Sequence, residues 1–185
     1  SKMKQISRPE YLGRLQALQD TPDIKIITGV RRSGKSMLMR EYISYLQQQN
    51  SNCNIIYVDF MDLAFEDLKE YHALYTYIEN AYQEGRCNYV FIDEVQLCPH
   101  FELAVNSLHS KQKYDLYLTG SNAFLLSADL ATLFTGRYIE IHVFPFSFAE
   151  YCSYFDARKD VDALFDDYVL AGGLTYHTAM KLWWA

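Results

Sequence analysis

A chain of 185 residues, half of them hydrophobic and 16% aromatic, can bury one substantial core and does not have the composition of a disordered or low-complexity protein. Its formal charge of −6 offers no general attraction to phosphate backbones or anionic membranes, so nucleic acid is not an expected partner. No apolar run approaches the roughly 18 residues of a membrane span, and the first ten residues carry no leader pattern, which leaves a cytoplasmic location as the expectation.

In chain order, Gly13 and Pro22 frame a predicted short helix. Runs rich in β-branched and aromatic residues then recur at 24–28, 53–60, 88–93, 114–120 and 138–144 and read as strands. Helix-length segments separate them: Lys35–Gln49, Phe65–Gln83, Phe101–Ser110 and Ala123–Phe134. Ser147–Ala171 reads as helical on both sides of Asp156–Asp160. This alternation predicts an α/β fold, a parallel sheet covered by helices on both faces. Residues 1–145 are expected to form the core, and 146–185 a helical extension cut short before a further domain, because Gly172-Gly173 normally ends a helix and starts a new element. Cys53, Cys87, Cys98 and Cys152 lack metal-ligand spacing and are expected as reduced thiols.

The first strand runs directly into Gly29-Val30-Arg31-Arg32-Ser33-Gly34-Lys35-Ser36, which fits G-x-x-x-x-G-K-[ST], the Walker A pattern. Glycines let successive backbone N–H groups point inward beside a helix N-terminus, where a polyphosphate can sit. Gly29, Arg32, Ser33, Gly34, Lys35, Ser36 and Met37 are the expected nucleotide contacts, with Lys35 reaching the β- and γ-phosphates and the Ser36 hydroxyl reaching Mg²⁺. Arg31 and Arg32 occupy variable positions; each is either solvated or in contact with nucleotide or a neighbouring subunit.

Hydrolysis also needs a metal ligand and a group to polarise water. "YVFIDE" supplies both, with Asp93 for Mg²⁺ and Glu94 for the attacking water. The Asp-Glu pair, and the lack of an N-K-x-D guanine motif, favour ATP and the additional-strand branch of P-loop NTPases. In that branch the strand "LYLTGSN" carries a polar sensor, for which Ser121 and Asn122 are candidates; the alternative is a turn that caps the next helix. The result is a three-layer α/β/α P-loop NTPase with strand order 5-1-4-3-2 and nucleotide at the C-terminal ends of the strands.

The segments "SRPEYLGRL" (7–15), "ITGVRRSGKSMLMREY" (27–42), "YVFIDEVQ" (89–96), "LTGSN" (118–122), "FTGRYIEIHVFPFSFAEY" (134–151) and "YVLAGGL" (168–174) together resemble a family of prokaryotic AAA-like ATPases. That family is related to archaeal-type and STAND P-loop ATPases, and its members usually carry a C-terminal domain of unknown function. The resemblance implies that Arg137 is a sensor or finger for γ-phosphate charge. It also implies that a homo-oligomer or a missing C-terminal domain is the partner. Three functions follow in order of preference: a Mg²⁺-dependent ATPase coupled to conformational change, a nucleotide-held switch or scaffold that binds ATP or ADP with negligible turnover, and a small-molecule kinase.

Overall fold

Proline sets the first helix. In the computed structural model, which describes residues 8–121, 127–145, 163, 165, 166 and 169, α1 (Pro9–Leu18) opens with Pro9 in its first turn, where a missing N–H costs nothing. The helix therefore runs through Gly13 instead of starting at it.

The strands are β1 (Ile24–Gly29), β2 (Asn54–Asp59), β3 (Asn88–Asp93), β4 (Asp115–Ser121) and β5 (Tyr138–His142), all paired in parallel in the order β2-β3-β4-β1-β5. This is the predicted sheet, read from its other edge. The helices α2 (Lys35–Gln49), α4 (Phe101–Ser110) and α5 (Ser127–Phe134) fall within their predicted segments.

The predicted helix at Phe65–Gln83 is instead two pieces, a short 3-10 helix at Leu63–Leu68 and α3 (Tyr71–Ala81). Glu70 divides them, because its carboxylate accepts the His72 N–H at 3.0 Å and the Ala73 N–H at 2.9 Å and caps a new helix. Of the predicted helix at Ser147–Ala171, residues 163, 165, 166 and 169 are described and are helical; the rest of it, with Gly172-Gly173, lies outside the described residues.

Side chains alternate along each strand, so parity decides which layer each residue joins. On one face Ile24, Ile26, Val90, Ile92, Leu116 and Leu118 pack with Leu74, Ile78, Val105, Leu108, Leu130 and Phe134 from α3, α4 and α5. On the other, Ile27, Tyr89, Phe91, Tyr117 and Ile141 meet Leu15 of α1 and Leu38, Met39, Tyr42 and Leu46 of α2. Each such side chain contributes about 1.5–3 kcal/mol relative to exposure. The same parity puts Asp93 and Thr119 on the face that carries α2, which is the helix the glycine-rich loop opens.

Candidate nucleotide site

At the C-terminal end of β1 the chain turns through the loop into α2, and the turn depends on its glycines. Gly29 has φ +153°, and a Cβ there would meet the Val143 carbonyl oxygen at 2.4 Å and Ser33 Oγ at 2.7 Å. Gly34 sits in the left-handed region at the N-cap of α2 and offers no side chain to cap the helix. Arg32 also has a left-handed backbone, φ 66°, while its side chain and that of Arg31 are exposed.

The interior of the loop is built for a polar guest. Ser33 is fully buried, and among the described residues its Oγ has no hydrogen-bond partner. An orphaned buried hydroxyl is costly, and a ligand oxygen would satisfy it. Lys35 is 4% exposed and folds over the loop, donating to the Gly29 and Val30 carbonyls at 2.9 Å each. Burial lowers the Lys35 ammonium below the ordinary lysine range, and the Glu94 and Asp93 carboxylates push it back up. Ser36 and Met37, in the first turn of α2, are half-buried.

Arg8 ties this loop to the rest of the fold. Its guanidinium donates to the Ser33 carbonyl at 3.1 Å and to the Phe144 carbonyl, and lies 4.5 Å from the centroid of the Tyr11 ring.

Beside the loop, β3 ends in Asp93, which is 2% exposed. One carboxylate oxygen accepts from the Thr119 hydroxyl and the other from Tyr57 Oη at 3.4 Å. Glu94 follows with φ 55° and ψ 52°, a left-handed backbone unusual for its residue type. Its N–H donates to Thr119 Oγ1 at 2.9 Å and its carboxylate accepts from the Gln96 amide. Hard carboxylate and hydroxyl oxygens are the donors magnesium takes, and the orphaned Ser33 hydroxyl and the packed Gly29 cradle fit a polyphosphate.

The structure thus brings Gly29, Ser33, Gly34, Lys35, Ser36, Asp93 and Glu94 to one end of the sheet. Ser121 joins them, because it pairs in register with Gly29. Asn122 lies outside the described residues. Arg137 is not brought to this cluster. It is exposed and precedes β5, its carbonyl accepting the Ile24 N–H at 2.9 Å, so it flanks the start of β1. The loop lies five residues further along that strand, about 16 Å away. A residue that precedes a parallel strand sits at the rim opposite the C-terminal strand ends, so the backbone of Arg137 lies apart from the residues gathered there.

Two contributors escape the motif reading. Thr119 and Gln96 touch the acidic pair, but one is a threonine within a strand, where threonine is an ordinary β-former, and the other sits in a short 3-10 helix. A recess of about 270 Å³ opens at the opposite rim; Asp20, Asn88 and Asp115, which line it, are already hydrogen-bonded within the fold. Among the described residues no group of three or more His, Cys, Asp or Glu could hold a metal ion by itself, and no helix is long and apolar enough to cross a membrane.

Residues 21–152 match the model of a family described as an AAA domain. An uncharacterized protein of Haemophilus influenzae is 40% identical over 173 residues, which are 91% of this chain and 43% of that one. The ORC1 protein of Aeropyrum pernix, solved in complex with DNA, superposes with a TM-score of 0.59 at 10% identity over 86% of this chain and 49% of that chain. AMPPCP-bound DnaA of Aquifex aeolicus superposes with a TM-score of 0.57 at 16% identity over 97% of this chain and 60% of that chain. At these identities the two structures speak for the fold alone. The chain spans less than half the length of the curated relatives it matches.

Proposed function

The chain belongs to the AAA domain family, and on that premise we propose that it binds ATP with Mg²⁺ and hydrolyses it slowly, passing the nucleotide state to a region or partner outside the site. The observation that carries this reading is the buried Lys35–Ser33–Gly29 cradle, with its orphaned Ser33 hydroxyl, at the same end of the sheet as the Asp93–Glu94 pair, from which β4 separates it.

In this reading Lys35 leaves the two loop carbonyls and bonds the β- and γ-phosphates. Ser33 gains a partner, and the N-terminal amides of α2 face negative charge. Ser36 and Asp93 hold Mg²⁺, which when bound neutralises phosphate charge and orients the γ-phosphoryl group. The Glu94 carboxylate takes the proton of the attacking water as the bond between the γ-phosphorus and the β–γ bridging oxygen breaks. Ser121, level with Gly29, is the polar group at the end of β4 nearest the loop; Asn122 is proposed beside it. The distance of Arg137 from the loop supports a role at the nucleotide of a second copy of the chain over one at its own. The bound DNA is a property of the ORC1 structure; a net charge of −6 gives this chain no electrostatic drive toward it.

Calorimetric titration tests the reading. The wild-type chain should bind ATP–Mg²⁺ more tightly than GTP–Mg²⁺, and Lys35→Ala should bind neither detectably. Equal ATP affinity in the two proteins would remove the assignment. A nucleotide-held switch becomes the better reading if ATP binds tightly and no phosphate is released.

A further inference from the structure

Thr119 belongs neither to the glycine-rich loop nor to the acidic pair, yet it is the atom-level link between the two acids. It is fully buried on β4, between Leu118 and Gly120, where a residue needed only for packing could be valine. Its hydroxyl has one proton and accepts through lone pairs. The lone pair takes the Glu94 N–H at 2.9 Å, so the proton goes to the Asp93 carboxylate.

Both bonds have consequences for chemistry. The first holds the left-handed turn that carries Glu94, a backbone conformation glutamate adopts only when its surroundings impose it. The second occupies one Asp93 oxygen and, among the described residues, leaves the other with the longer contact from the Tyr57 hydroxyl at 3.4 Å. β4 also ends at Ser121, level with Gly29, so this strand touches the loop and both acids.

Resting on the nucleotide reading above, we propose that Thr119 is the positioning residue of the hydrolytic site. Its single hydroxyl sets the Asp93 carboxylate for metal and the Glu94 backbone for water as one unit. Residues one layer behind a metal ligand typically change metal affinity 10- to 100-fold when replaced.

The experiment compares wild type, Thr119→Val and Thr119→Ser. ATP affinity is measured with Mg²⁺ and with chelator, and phosphate release is resolved into kcat and KM. Valine keeps the β-branched shape and should preserve metal-free ATP affinity. It should lose about tenfold or more of the affinity gained from Mg²⁺, with kcat falling by at least as much. Serine, which retains the hydroxyl, should recover most of both. Thr119→Ala provides a second hydroxyl-free variant if valine disturbs folding. A valine variant with the wild-type Mg²⁺ response and kcat, or a serine variant as impaired as valine, overturns the role of Thr119 alone. A wild-type chain that binds no ATP overturns the nucleotide reading and this inference with it.

Discussion

Two buried lysines at opposite ends of the same strand show how this fold separates structure from ligand binding. Lys25, fully buried near the start of β1, is closed off by its partners. Its ammonium meets Asp115 at 2.6 Å and the Thr21 carbonyl at 2.5 Å. Asp115 also accepts from the Asp20 N–H and from Tyr117 Oη, which pairs with Tyr42 Oη at 2.9 Å. Lys35, which opens α2 beyond the end of β1, bonds two neutral loop carbonyls among the described residues, while Asp93 and Glu94 act on it without a bond. A buried charge paired with a buried carboxylate is part of the scaffold. A buried charge bonded to neutral carbonyls, beside an orphaned hydroxyl, is what the proposed nucleotide site requires.

The contrast breaks most visibly by substitution at either end. Asp115→Ala should lose about 3–5 kcal/mol of stability in denaturant titration, because a buried ammonium is left uncompensated. Replacing the pair together, with Lys25→Met and Asp115→Leu, should recover most of that loss. Lys35→Met should cost less, about 1–3 kcal/mol, since it forfeits two hydrogen bonds and no ion pair. A large loss of stability at Lys35, or none at Asp115, would reverse the two roles.

A smaller effect is expected from Gln96→Ala, which removes the amide that holds the Glu94 carboxylate. Turnover should fall about tenfold at unchanged ATP affinity, as losing one charge-assisted hydrogen bond of about 1.5 kcal/mol implies. Arg137→Ala, at the scaffold end, should leave ATP affinity unchanged. If a second copy supplies this arginine, activity per chain rises with protein concentration and the substitution removes the rise. The smallest effect is in thiol labelling. Cys87 is exposed at the scaffold rim and should alkylate readily, at the same rate with or without ATP–Mg²⁺. Burial pushes the Cys98 thiol up to about 11, so it should stay unlabelled at neutral pH until the chain unfolds.

Much of this arrangement is legible in the sequence, because periodicity and motif spacing are local signals. The limits of α2, β3 and α4 follow from them, as does the convergence of Lys35, Asp93 and Glu94, since parallel strands deliver their C-terminal ends to one rim. The break at Glu70 is hidden because the apolar pattern continues across it and glutamate is not a favoured N-cap residue. Thr119 is hidden for a different reason. Its partners are set by the pairing of β4 with β3, and a lone threonine in "LYLTGS" reads as an ordinary β-former. The position of Arg137 was available in principle, because a residue that precedes a parallel strand must lie away from the ligand rim. A local glycine–arginine pattern does not carry that information.

In the proposed function Glu94 activates water at a loop that holds ATP. Steady-state phosphate release from Mg²⁺–ATP, measured side by side for the wild-type chain and Glu94→Gln at saturating nucleotide, tests it most directly. The expected result is measurable release by the wild type and a loss of about 10²-fold or more in the variant at unchanged ATP affinity, because an amide can hold water but cannot take its proton. Equal release by both proteins would show that Glu94 does not activate the water.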